Sequence, residues 1–141
     1  MENKETYINL FKHIEKLKNS DDPKRKYEYI LWLGKKLKVP DGNLLIPENK
    51  VQGCVSEVFV KASFQGGKLY WEGYSDALIT KGLLAFLISG MNELTPKEVV
   101  NIDSNFIEDT GLKASLTPSR SNGFLNILLK MQSQANKFLA E

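Results

Sequence analysis

The hydrophobic period of this chain changes in one stretch, and that change limits the fold more than any single residue does. From Ser56 to Phe64 the side chains alternate: Ser56, Val58, Val60, Ala62 and Phe64 point one way, while Glu57, Lys61 and Ser63 share the other face with Phe59. A period of two marks a half-buried strand. Gly66-Gly67 follows, a pair able to take the positive φ angles of a two-residue hairpin turn. The returning segment alternates Leu69 and Trp71 with Lys68, Tyr70, Glu72 and Tyr74. On either side of this hairpin the pattern is helical. The expected architecture is α+β, a small antiparallel sheet covered by helices.

Two helices are predicted within residues 1–38. Tyr7, Leu10, Phe11, Ile14 and Leu17 recur at helical spacing, and Tyr27, Ile30, Leu31, Gly34 and Leu37 form a second stripe. Between them Asp22 can cap free amides and Pro23 suits a first helical position, where no amide hydrogen is needed. Pro40, Asp41-Gly42-Asn43 and Pro47 then punctuate a loop that ends in Val51-Gln52-Gly53-Cys54. After the hairpin, Ser75 or Asp76 is expected to cap a helix running to about Met91, apolar almost all round and therefore buried on several sides. Thr95-Pro96-Lys97-Glu98 reads as a capping box, and Gly111 as the end of a short helix from about Phe106. Thr117-Pro118 opens a last helix with the stripe Phe124, Ile127, Leu128, Met131, Ala135, Phe138 and Leu139.

At 141 residues one domain spanning 1–141 is expected. The formal charge is +2, from 19 basic and 17 acidic residues, too even for a nucleic-acid partner. Lys24-Arg25-Lys26 and Lys35-Lys36-Lys38 read as solvated helix faces. The most apolar run, Leu83 to Ile88, is too short to span a bilayer, so no membrane partner is expected. Met1 is followed by acidic and polar residues without a secretory pattern, which points to a cytoplasmic location. One cysteine and one histidine make neither an internal disulfide nor an ordinary zinc site. In the cytoplasm that thiol stays reduced.

Cys54 is the strongest nucleophile candidate. It stands where a loop meets a strand, directly after Gly53, whose freedom of φ allows a thiol to move between sheltered and exposed positions. A buried core cysteine is the competing reading, since unpaired cysteine is among the most buried residue types. His13 reads as a partly exposed helix residue, and without a base a Cys–His hydrolase is unattractive. A thiol peroxidase would need a second thiol or an external reductant. Arg120 sits near the start of the last helix, against the helix dipole, where either plain exposure or a partner such as a thiolate or carboxylate accounts for it.

Several ordered segments resemble the SufE family of sulfur-acceptor proteins, also called cysteine desulfuration proteins. They are Tyr27-Glu28-Tyr29-Ile30-Leu31-Trp32-Leu33-Gly34, Val51-Gln52-Gly53-Cys54-Val55-Ser56-Glu57-Val58 and Gly73-Tyr74-Ser75-Asp76-Ala77-Leu78-Ile79-Thr80-Lys81-Gly82-Leu83. Leu94-Thr95-Pro96-Lys97-Glu98-Val99-Val100 and Leu116-Thr117-Pro118-Ser119-Arg120-Ser121-Asn122-Gly123 complete the likeness. The resemblance implies a three-stranded antiparallel sheet, with a third strand within about Pro47 to Val51, where the residues themselves read as loop. It implies that Cys54 carries a persulfide received from a pyridoxal-phosphate cysteine desulfurase, which the protein stimulates, and that the sulfur passes to an iron–sulfur scaffold complex. The chain would then be a sulfur-transfer partner and not an enzyme, with no cofactor of its own and no stable metal centre. Gln52 and Gly53 would shape the cysteine loop, and Asp76, Lys81 and Arg120 would lie near it or hold it. A rival on the same fold is a non-covalent adaptor that activates a desulfurase by binding alone. A homodimer stays open, because an ordinary core consumes stripes of this width.

Overall fold

The computed structural model of the chain describes residues 3–139. Helix α1 (Ile8–Lys18) buries Leu10, Ile14 and Leu17, and the preceding Tyr7 donates its hydroxyl to the Glu98 carbonyl at 2.8 Å. Helix α2 (Pro23–Gly34) starts as its sequence requires, with Asp22 accepting from the Lys24 amide and Pro23 at the first position. Its buried face is Ile30, Leu33 and Gly34. Tyr27, expected in that stripe, is exposed, because a helical turn of 100° per residue places it at the rim while Lys26 falls nearer the covered side. Lys26 uses this position to donate to the Thr110 carbonyl at 3.0 Å.

Strands β1 (Val58–Gln65) and β2 (Lys68–Ser75) form the hairpin in a register running from Val58 opposite Ser75 to Gln65 opposite Lys68. Gly66 and Gly67 turn it with φ of 58° and 80°. The inner face carries Val58, Val60, Leu69 and Trp71, all buried, so the alternation in the sequence assigns the faces correctly. Helix α3 (Leu78–Met91) covers this face and is itself covered by α1 and α2. Both α2 and α3 are bare where they cross. A Cβ on Gly82 would run into the Ile30 carbonyl oxygen, and one on Gly34 would lie 3.0 Å from the Gly82 nitrogen.

The third strand implied by the resemblance is reduced to one bridge. Pro47–Asn49 forms a single 3₁₀ turn, after which Lys50 pairs with Phe59 and the Val51 amide donates to the Val58 carbonyl at 2.8 Å. Pro47 has no amide to give a ladder, and Gly53 then turns the chain away with φ of 79°. Among the described residues the sheet therefore has two strands. The exposed edge of β1 is closed by a side chain instead: Gln134 donates to the Val60 carbonyl at 2.7 Å and accepts from the Ala62 amide at 2.9 Å, as a neighbouring strand would.

The expected cap of α3 also differs. The helix begins after Ala77 without a side-chain cap, because Asp76 is turned to the Glu57 amide and Ser75 accepts from Ala77. The reciprocal capping box of Thr95 and Glu98 opens α4 (Pro96–Val100) as read. Helix α5 (Phe106–Asp109) is followed by Gly111 with φ of 68°. Helix α6 (Pro118–Asn136) is capped by Thr117 and buries Phe124, Ile127, Leu128, Met131 and Ala135. It stops before Phe138 and Leu139, expected in its stripe. Phe138 stacks on Phe64, and Leu139 is exposed.

Candidate functional site

The short segment from Gln52 to Ser56 is pinned at both ends and seated on α6 between them. At one end the Val51 amide is bonded to Val58; at the other the Glu57 amide donates to Asp76 Oδ1 at 3.0 Å. Gly53 takes a left-handed conformation, which a residue with a side chain adopts only with strain. Its carbonyl accepts from Asn126 Nδ2 at 3.1 Å. Cys54 is half-buried, with Sγ packed over bare Gly123 and directed at that residue's carbonyl oxygen, 3.8 Å away. The thiol therefore rests against the second turn of α6 and not in the core proper.

Arg120 lies one turn earlier on the same helix. Its Nη1 donates to Ser56 Oγ at 3.2 Å and to Thr80 Oγ1, and these two hydroxyls bond each other at 3.1 Å. A cation in the first turn of a helix, unfavourable by itself, is thus held by hydroxyls from the cysteine loop and from buried Thr80 of α3. Two opposing effects act on Cys54. Burial pushes its thiol pKa up, the positive charge of Arg120 pulls it down, and burial is the larger.

The residues singled out from sequence are brought together unevenly. Gly53, Cys54 and Arg120 meet on α6, and Asp76 latches the end of the loop. Gln52 is exposed, and among the described residues no side-chain hydrogen bond ties it or Lys81 to this group. His13 belongs elsewhere. Its ring nitrogens pair with the Tyr29 hydroxyl at 2.7 Å and Ser89 Oγ at 2.8 Å, joining three helices. The sequence alone does not mark Asn126, Thr80 or the Ser56 hydroxyl as site residues. For Asn126 a signal existed: it stands three places after Gly123, so both occupy one helix face, polar and small beside the apolar stripe.

Exposed apolar side chains occur on the cysteine loop and at the start of α3. Val55 is 77% exposed and Leu78 is 75% exposed, on the two segments joined by the Glu57–Asp76 bond. Among the described residues no three potential metal ligands come together, and no helix is long and apolar enough to cross a membrane.

Fold and site together define a small α+β protein that presents one thiol on a helix-seated loop. The profile of the SufE family, described as an Fe–S metabolism associated domain, matches residues 12–135, and the chain belongs to that family. It is 51% identical to a SufE-like protein of Synechocystis over 92% of this chain and 82% of that one. It is 40% identical to SufE-like protein 1, chloroplastic/mitochondrial, of Arabidopsis thaliana, over 91% of this chain but 33% of the longer plant protein. The cysteine desulfuration protein SufE of Plasmodium vivax is 37% identical over 80% of this chain and 46% of its own length. A solution structure of a hypothetical protein from Thermus thermophilus superposes with a TM-score of 0.81 at 25% identity, covering 94% of this chain and 97% of that one.

Proposed function

We propose that Cys54 accepts sulfur from a pyridoxal-phosphate cysteine desulfurase and passes it to an iron–sulfur scaffold complex, stimulating the desulfurase by relieving it of its product. The observation that carries this reading is the half-buried Cys54 thiol, held on a glycine loop against α6 with the charge of Arg120 acting on it. The Cys54 thiolate attacks the outer sulfur of the desulfurase persulfide. A new sulfur–sulfur bond forms on Cys54, the original one breaks, and the desulfurase is left as a thiolate, so charge and electrons balance without an added oxidant. Arg120 favours the attacking thiolate, while burial keeps the resting thiol protonated. Val55, next to Cys54 in the loop, and Leu78, next but one to the Asp76 latch, offer exposed apolar surface for the partner to cover. The chain is then a carrier consumed and regenerated in transfer, acting as one domain in a reducing compartment such as the cytoplasm. Gln52 and Gly53 shape the loop, and Asp76 and Arg120 hold it. Lys81 follows Thr80 on α3, beside the hydroxyl that Arg120 bonds, and is assigned to the surroundings of the loop.

The test is the intact mass of the protein after incubation with a pyridoxal-phosphate cysteine desulfurase and free cysteine, without reductant. A gain of sulfur that a thiol reductant reverses, and that Cys54→Ser abolishes, is the expected result. No gain, with Cys54→Ser still stimulating the desulfurase, would replace the carrier with a non-covalent adaptor.

A further inference from the structure

Arg120 holds the cysteine loop to α6 at Ser56; nearer the thiol the loop is held by one side chain that neither the reaction nor the core requires. Asn126 Nδ2 donates to the Gly53 carbonyl at 3.1 Å, across 73 positions of sequence. The same nitrogen occupies the space beside the bare α-carbon: a Cβ on Gly53 would lie 2.6 Å from it. The amide and the glycine thus fit each other twice, through a hydrogen bond and through the missing side chain. One turn back on the same face, Gly123 receives the Cys54 sulfur. The neighbouring loop residues Gln52 and Val55 face solvent and hold nothing in place.

We infer that Asn126 is a positioning residue, a latch whose amide holds Gly53 on α6 and thereby sets how often the Cys54 thiol leaves its sheltered position. The inference rests on the sulfur-carrier reading for its purpose but not for its geometry. With the latch closed the half-buried sulfur is turned toward the Gly123 carbonyl and partly sheltered from solvent and partner. With it open, residues 52–55 are tied only through their ends, and the thiol can reach a partner's persulfide. A latch of this kind must be weak. A single, largely exposed amide–carbonyl hydrogen bond meets that need, since water replaces it at little cost.

The measurement is the rate at which iodoacetamide alkylates Cys54 in the whole protein, followed across pH, with no desulfurase present. Asn126→Ala should raise the rate about fivefold, the population change expected from losing one such hydrogen bond. Its pH–rate midpoint should also move down toward that of an ordinary thiol, because the freed sulfur is less buried. Asn126→Gln, which keeps an amide donor, should return both toward wild type. The thermal midpoints should stay together, as a purely structural role would not allow. Should the alanine variant fail to fold, Asn126→Ser, whose hydroxyl is too short to reach Gly53, carries the same expectation. A wild-type rate and midpoint in the truncated variant would overturn the latch, and so would a glutamine variant as fast as alanine. Because no sulfur donor is used, a failed latch leaves the carrier reading intact, and a failed mass experiment leaves the alkylation result standing.

Discussion

At the α2–α3 crossing Gly34 and Gly82 bring two helix backbones together, and at the cysteine loop Gly53 and Gly123 bring a loop onto α6. The first approach is backbone against backbone. The space a side chain would need at Gly82 is filled by the carbonyl of Ile30, a residue fully buried in the core. The second is a loop against side chains, with the Asn126 amide over Gly53 and the sulfur over Gly123. The same residue type therefore serves opposite ends. Where neither neighbour can yield, a glycine fixes the arrangement. Where the neighbour is the end of a side chain on the surface, it permits two arrangements.

Substitutions should separate these two regions by size and by kind. Gly82→Ala has the largest expected effect, a loss of about 3 kcal/mol in urea unfolding, since an overpacked helix contact must open against the core. If it costs no more than a surface change, the crossing is not rigid and the contrast fails. Asp76→Ala is expected to cost less than about 1 kcal/mol, because the bond to the Glu57 amide is exposed. Its clearer signature should be faster alkylation of Cys54, read in the same assay as Asn126→Ala. A large drop in stability with unchanged alkylation would move Asp76 from the loop to the scaffold.

The smallest effect concerns pH. Burial raises the folded thiol pKa of Cys54 above its unfolded value, so the folded state holds that proton more tightly. The resulting stability is fully present below the unfolded thiol pKa, about 8.5. It is lost as pH rises through the higher folded value. Stability should therefore fall slightly less steeply above that point in Cys54→Ala than in wild type, as measured by urea midpoints over an alkaline series. Identical slopes would mean that the thiol is no more sheltered folded than unfolded.

The elements that could be read in advance are those built from neighbours in sequence. Asp22-Pro23, Thr95 to Glu98 and Thr117-Pro118 set helix starts because a cap and the amide it satisfies lie within three residues. Gly66-Gly67 sets the hairpin and its register for the same reason. The misreadings occur where a residue's partner is far away. Asp76 has the sequence position of a helix cap, but the Glu57 amide, brought beside it by the hairpin, takes its carboxylate. Gln134, one polar residue in a long helix, supplies β1 with the neighbour that a third strand would have provided.

The site divides in the same way. Sequence alone determined that the chain has a single thiol, that it follows a glycine on a loop, and that an arginine stands early in the last helix. Only the tertiary structure decided that the loop lies on α6, that Arg120 is held by Ser56 and Thr80, and that Asn126 touches Gly53. Caps and turns are contacts between near neighbours, so their chemistry is written in short segments. The cysteine's surroundings join residues 19 to 73 positions apart, and only packing of the hairpin, α3 and α6 around one core brings them within reach.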